Sequence, residues 1–418
     1  MKNILIITSY APTKNEGFES RTSCLAQEFF KKSYNVTVIT SDSNHLSSYK
    51  KTKLKIQKYV YNGVVFKILN TLKYKRTISL KRILSWFDFE FKLFYNLKKI
   101  IADKPDIIIV SSLSILTILN GFILRNRYPN SKLIFEIRDI WPLTLIEEGG
   151  YSRFHPAVLF LGIIEKAGYV YSDAIVGTMP NLVEHVKKIT NNRVKNVFCI
   201  PFGVYPEDYL LDNNSIKESL ELKKFRKNTK SGFTVGYAGS IGLSNGLETF
   251  VKVIKDLNQN NELNFVLLGD GDYKIRYQKE LSNCSNVFFT GRVEREHVKY
   301  YLDCCDVLFI STLPSKVWDY GWSLNKMIDY MISSKPIIAE YDGFRSMINE
   351  SKSGFFVKCA DLEELKAKIL QTSNMDSNNL KDIGKKGKNW IINSRSWSKI
   401  ADDYLKIFFE LDNNLSGK

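Results

Sequence analysis

Residues 320–340 read YGWSLNKMIDYMISSKPIIAE. A glycine-containing loop runs into a helical stretch, the helix stops before Pro336, and the apolar strand KPIIAE (335–340) follows at once. Proline cannot continue a helix, and the residue before it is pushed toward extended backbone. Loop, helix and strand in so few residues are the repeating unit of a parallel α/β sheet.

The same rhythm runs outward in both directions. Before it stand FTVGYAGS (233–240), NFVLLGDGD (264–272), NVFFTGR (286–292) and DVLFIS (306–311), and after it GFFVK (354–358). The first half repeats the plan with ILIIT (4–8), VTVIT (36–40), VVFKI (64–68), DIIIV (106–110), KLIFEI (132–137), DAIVGT (173–178) and NVFCIP (196–201). Apolar, β-branched runs of four to six residues without alternation read as parallel strands buried on both faces. The pattern lapses in the polar stretch 204–231. We therefore expect two Rossmann-like doubly wound domains facing across a cleft, 1–203 and 232–395, joined by a linker at 204–231. Residues 396–418 form a C-terminal helix. Such folds bind ligands at the carboxyl ends of their strands.

The chain of 418 residues is too long for one core and suits two. Its net charge of +16 points to an anionic partner. Residues 50–104 concentrate that charge, with 15 Lys/Arg against 3 Asp/Glu and ten aromatic residues. Basic and aromatic side chains together suit an anionic membrane surface, although rings turned inward would serve a core equally. The uncharged run 107–124 reads as a buried strand feeding a helix, because serines, a threonine, an asparagine and a glycine interrupt it. The chain is therefore expected to lie on the cytoplasmic face of a membrane without spanning it. Six scattered cysteines without a C-x-x-C pair, and only four histidines, argue against a zinc centre and for a reduced compartment. No nucleic-acid motif accompanies the charge.

Glycine turns follow two strands of the second half, in AGSIGLSNG and LLGDGD. Glycine tolerates positive φ and close backbone approach, so Gly269 and Gly271 are candidates to present N–H groups to a phosphate. Neither G-x-G-x-x-G after the first strand nor a Walker lysine motif occurs. The helix within 320–336 adds an anion site of its own. A helix mouth offers free N–H groups and a partial positive charge. Ser323 is placed to cap it, Lys326 brings a full charge, and Asp329 suits the two hydroxyls of a ribose. Phosphate and sugar ordered along one helix describe a nucleoside diphosphate. An ordinary capped amphipathic helix is the competing explanation.

This stretch resembles the donor-binding segment of glycosyltransferase family 4. The family spaces two acids E-x7-E before a KP-I/V strand; here Gly321 and Asp329 occupy those positions. A branch that instead reads YG-x-SPNKLFDYM-x-x-GKP is similar to 320–336. It includes bacterial N-acetylfucosamine transferases of surface polysaccharide synthesis. GYAGSIGLSNGLET (236–249), GDGDYK (269–274), VFFTGRV (287–293), FEIRDIWP (135–142) and GFESRTSCLAQEF (17–29) with VTVITSD (36–42) carry the resemblance over almost the whole chain.

The resemblance implies a GT-B fold with the donor nucleotide on the C-terminal domain and the acceptor on the N-terminal one. It implies retention at the anomeric carbon and no cofactor or required metal. The last helix is implied to cross back to the first domain. The family's Arg and Lys diphosphate ligands map onto Ser240 and Asn245, which carry no charge; Lys326 and Arg292 are the candidates to replace them. Gly17 is implied to bring backbone against the donor phosphates, and Gly321, Ser323, Leu324 and Asn325 line the same ligand. Arg21, Arg138 and Asp139 are the acceptor candidates, with Asp139 and Lys326 the catalytic pair. Solvation would account for Arg21, and a buried Asp–Arg pair for Arg138–Asp139. His155 and Glu340 are weaker candidates.

The expected activity is transfer of a sugar, plausibly an N-acetylated amino sugar, from a nucleotide diphosphate sugar (UDP favoured). The expected acceptor is a polyprenyl-diphosphate-linked saccharide of O-antigen, capsule or other surface polysaccharide. A nucleotide-sugar 2-epimerase of the same fold and a non-catalytic membrane-bound partner are the alternatives.

Overall fold

The structure, a computed structural model, describes residues 1–17, 19–43, 54–74, 79–112, 114–209, 225 and 232–413. Most of the expected linker therefore lies outside the described residues, as do parts of 50–104 and the end of 396–418. The chain forms two compact units, Met1–Gly203 with Trp397–Lys418, and Val204–Ser396.

The first unit holds an eight-stranded sheet in the order β3-β4-β2-β1-β5-β6-β7-β8. The strands are β1 Asn3–Ile7, β2 Asn35–Ser41, β3 Ile56–Tyr61, β4 Val64–Leu69, β5 Ile107–Ser111, β6 Lys132–Ile137, β7 Ala174–Gly177 and β8 Val197–Cys199. All neighbours pair in parallel except β3 and β4. The central strands are buried along their whole length, which is why they read as uninterrupted apolar runs.

Strand β3 was not expected. It forms a hairpin with β4 through Asn62 and Gly63, both at positive φ (47° and 82°). That backbone is the tight turn that Asn-Gly favours. Its half-exposed, alternating residues hid it among the lysines.

Helices α1 Arg21–Lys31, α2 Leu80–Ile100, α3 Thr117–Arg127, α4 Leu143–Glu147, α5 Pro156–Tyr171 and α6 Leu182–Thr190 connect these strands. The run 107–124 thus divides into β5 and the start of α3. No helix of the described residues is long and apolar enough to cross a membrane. Helix α2 buries Ser85, Phe89, Leu93, Leu97 and Ile100 along one side. The intervening positions Leu80, Ile83, Leu84, Phe87, Phe91, Phe94 and Tyr95 are exposed. At 3.6 residues per turn these two sets lie on opposite faces, so α2 is apolar on both.

The second unit has a six-stranded, wholly parallel sheet in the order β11-β10-β9-β12-β13-β14. Its strands are β9 Phe233–Ala238, β10 Leu263–Leu268, β11 Val287–Gly291, β12 Val307–Ser311, β13 Ile337–Glu340 and β14 Gly354–Val357. Seven helices follow or separate them: α7 Glu248–Asp256, α8 Lys274–Glu280, α9 Arg295–Asp303, α10 Asn325–Ile332, α11 Met347–Ser351, α12 Leu362–Ser373 and α13 Ser377–Ser394. Phe250 stacks on Phe309 at 4.3 Å between centroids within this core.

The last helix, α14 Trp397–Asn413, belongs to the first unit and packs on α1. Phe29 of α1 meets the Tyr404 ring edge-on at 5.6 Å.

Candidate functional site

In the second unit the candidate residues gather at the carboxyl end of β9. Tyr330 of α10 fastens this end: its hydroxyl donates to Ala238 O (3.0 Å) and accepts from Ala238 N–H (2.6 Å). One turn earlier on the same helix face, Lys326 is thereby carried to the turn after β9. Its Nζ donates to Asn245 Oδ1 and to the Tyr237 hydroxyl (3.2 Å), and lies 4.8 Å above the Tyr237 ring. A Cβ at Gly239 would come within 3.2 Å of the same nitrogen. No ion pair among the described residues includes Lys326. Burial lowers its pKa from 10.5 to about 8, because a desolvated ammonium is costly to keep charged.

Lys326, Asn245 and the turn carrying Ser240 are therefore one constellation. Ser240 is exposed and Asn245 half-buried. Tyr237 belongs to it too; read in sequence it is one more core aromatic of a strand.

Ser323 does not cap α10. The N-cap is Leu324, in extended backbone and without a side-chain cap, and Asn325 and Lys326 open the helix. The Ser323 hydroxyl is buried and has no partner among the described residues, as is true of Trp322 Nε1 and Thr312 Oγ1. The orphaned buried donors of Trp322 and Ser323, directly before an uncapped helix, fit a site that a ligand completes. Asp329 sits half-buried three residues beyond Lys326. Gly321 precedes the helix at φ 98°, and its N–H donates to Trp318 O.

Gly269 and Gly271 need correction. A Cβ on Gly269 would stand 1.9 Å from Gly239 O, and one on Gly271 2.3 Å from Ile241 O. The N–H groups of Gly239, Ile241 and Gly269 donate to Leu268 O, Asp270 O and Gly291 O, and that of Gly271 to Asp270 Oδ1. These glycines let two turns pack on each other; their N–H groups are already used and do not cradle a phosphate. Arg292 is exposed just past the end of β11.

In the first unit, Gly17 stands at φ 111° in the loop after β1, with open space where a Cβ would point. Arg21 also needs correction. It is buried, its Nε 3.3 Å from Glu136 Oε1, its two Nη groups donating to Pro201 O and Ile200 O. Ser111 and Tyr404 hydroxyls also donate to Glu136. Burial alone would raise the Glu136 carboxyl, but Arg21, Arg138 and these hydroxyls hold it below its ordinary range. Arg21 thus ties β6, the segment after β8 and α14 together, and is not open to an acceptor.

Arg138 and Asp139 emerge where β6 ends. Arg138 stacks its guanidinium on Phe202 (5.3 Å), and its Nε lacks a partner among the described residues. No direct ion pair joins it to Asp139 among those residues. Asp139 reaches solvent from a crowded recess. Desolvation there pushes its carboxyl up, with Arg138 and Arg82 pulling it down. Trp141 and Trp86 meet edge to face at 5.7 Å, with Arg82 over Trp86 at 5.1 Å. Both indole N–H groups and the Ser114 hydroxyl are buried without partners among the described residues. The part of α2 in this recess was missed from sequence, since nothing local marks Arg82 and Trp86 as inward-facing.

His155 caps α5, its Nδ1 accepting from Ala157 N–H at 3.2 Å. Buried Glu340 accepts from Ala360 N–H at 2.7 Å. Both have local structural duties. No group of three His, Cys, Asp or Glu among the described residues is placed to hold a metal ion.

Solved structures with this two-unit plan include sucrose-phosphate synthase from Thermosynechococcus elongatus. It is 15% identical, with a TM-score of 0.73 over 99% of this chain and 100% of that one. The fold is GT-B. HepE of Anabaena, solved in complex with UDP, shares this GT-B fold at 14% identity, TM-score 0.66, over 98% of this chain and 100% of that one. So does an E. coli protein titled trehalose-6-phosphate bound with UDP-2-fluoro glucose, at 11% identity, TM-score 0.71, over 97% and 98%. Residues 232–374 match the family model "Glycosyl transferases group 1". That span holds the whole Lys326 constellation. No curated protein matches the chain.

Proposed function

We propose that the chain is a retaining glycosyltransferase that moves a sugar from a nucleotide diphosphate sugar to a lipid-linked saccharide. The observation that carries this reading is Lys326: a largely buried cation in no ion pair among the described residues, at the mouth of α10, inside the span that matches group 1 glycosyl transferases. A diphosphate there would meet the ammonium, the N–H groups of Asn325 and Lys326, and the orphaned Ser323 hydroxyl. Asp329 would take the ribose hydroxyls, and Arg292 is a second cation for the leaving group. Two structures with this fold hold UDP or UDP-2-fluoro glucose, which supports UDP.

As the glycosidic bond to the diphosphate breaks, negative charge grows on the leaving oxygen. Lys326 and the helix mouth would meet that oxygen as preformed donors, so stabilisation would require little reorganisation. The acceptor hydroxyl bonds to the anomeric carbon on the same face, and its proton passes to the departing phosphate. In the first unit, Asp139 would orient that hydroxyl, with Arg138 beside it. A polyprenyl-diphosphate saccharide of a bacterial surface polysaccharide, the transfer of an N-acetylated amino sugar, a metal-independent reaction and a place on the cytoplasmic membrane face belong to this proposal.

The test is a thermal-shift series with UDP, GDP, ADP and dTDP, with and without magnesium. One base should raise the midpoint without metal. Lys326→Ala should weaken that nucleotide by about 1.5–3 kcal/mol, the range for a charge-assisted hydrogen bond. Unchanged affinity in the variant would remove Lys326 from the donor site.

A further inference from the structure

The outward face of α2 is not alone. Helix α3 packs against both α2 and α5, so the three form one layer. On α5, Phe160 and Ile163 are exposed, Ile163 by 70%, and Phe154 just before it by 84%. With Phe91, Phe94 and Tyr95 they extend the apolar face well beyond the basic stretch read from sequence. Soluble chains rarely leave so continuous an apolar surface bare.

Charge says what covers it. The exposed charged side chains of the three helices are Lys81, Lys98, Lys99, Arg127 and Lys166, every one basic. Their three carboxylates are withdrawn: Asp88 pairs with Lys92, Glu90 accepts from Thr117 and Asn120, and Glu165 bonds His185. Exposed aromatic rings and cations on these three helices, with no exposed acid on the helices themselves, match an anionic lipid surface in which rings enter the headgroup boundary.

We propose that the outer face of α2, α3 and α5, with Phe154, docks on an anionic bilayer. Helix α2 then serves two sides at once. Its Arg82 and Trp86 line the Asp139 recess, while Ile83, Leu84 and Phe87, within one turn, meet the lipid. A membrane-borne acceptor is thereby delivered beside Asp139 without leaving the bilayer surface. Only this last step rests on the transferase reading; docking itself needs no substrate.

The experiment is sedimentation of the full chain with phosphatidylcholine vesicles, with and without phosphatidylglycerol, at low and high salt. Binding should require phosphatidylglycerol and be released by salt. Phe91→Glu/Phe94→Glu should abolish it at an unchanged melting midpoint, because both side chains are exposed. Lys98→Glu/Lys99→Glu should weaken it more than about tenfold, since each surface lysine contributes about fivefold. Absent wild-type binding, or equal binding by the phenylalanine variant, would overturn the proposal. So would light scattering that finds a wild-type dimer which the phenylalanine variant turns into monomer, giving the face to a second copy. The UDP shift of each variant is read alongside. Absent docking of the wild type with an intact UDP shift fails this proposal alone, whereas a missing shift in the wild type fails the donor reading.

Discussion

Replacing Lys326 by methionine should make the protein more stable at neutral pH while removing its response to a nucleoside diphosphate. Burial holds the Lys326 pKa near 8 against an ordinary 10.5. At about 1.4 kcal/mol per unit, keeping this ammonium charged in the native state at pH 7 costs about 3 kcal/mol. Methionine fills the volume of the stem without the charge. It forfeits the hydrogen bonds to Asn245 and Tyr237, together worth about 1–2 kcal/mol. The net expectation is a gain of about 1–2 kcal/mol, read as a higher urea midpoint at an unchanged slope.

The pH dependence distinguishes this cause from others. Between pH 8 and 10.5 the unfolded chain holds the Lys326 proton and the folded chain has released it. Wild-type stability therefore climbs by about 3 kcal/mol relative to the variant through that window, so the gap of about 1–2 kcal/mol closes and then reverses toward its upper end. Nucleotide affinity of the wild type should fall over the same range, because the binding cation is being lost. A variant less stable at pH 7, or a gap that stays constant with pH, would refute the argument that burial strains this lysine. A retained UDP shift in the variant would refute its place in the donor site.

Two other substitutions separate structure from chemistry. Arg21→Ala leaves the Glu136 carboxylate buried with its principal cation gone, and should cost about 3–5 kcal/mol of stability by denaturant titration; an effect on acceptor KM at full stability would restore the acceptor reading of Arg21. Asp139→Asn should leave the UDP shift unchanged and lower the transfer rate about 100-fold, as expected when the group that orients the acceptor hydroxyl is lost; an unaffected rate assigns Asp139 to the loop alone.

The two parallel sheets were legible because their strands are buried on both faces, and such strands announce themselves as apolar runs of limited length. Strand β3 escaped because it is an edge strand with alternating, half-exposed residues; Asn62-Gly63 was the signal available. Lys326 was legible as a cation at a helix mouth. Its seat above Tyr237 and against Asn245 was not, since those contacts join residues 81 to 89 positions apart. Arg21 illustrates the opposite failure. An arginine opening a helix looks solvent-facing, and only the approach of Glu136 and Tyr404 from distant segments buries it. Glycine turns were located correctly but for the wrong reason, because a close backbone neighbour and a close phosphate make the same demand on a side chain.

The position of α14 bears on how the protein is made. Residues 204–396 are synthesised before the helix that completes the first unit. Until α14 leaves the ribosome, Phe29 lacks its aromatic neighbours Tyr404 and Phe408, and Glu136 lacks the Tyr404 hydroxyl. The first unit, although it emerges first, therefore gains these contacts only after the second has been synthesised. Domains that emerge first normally fold first; here vectorial synthesis leaves the N-terminal half as the one completed last.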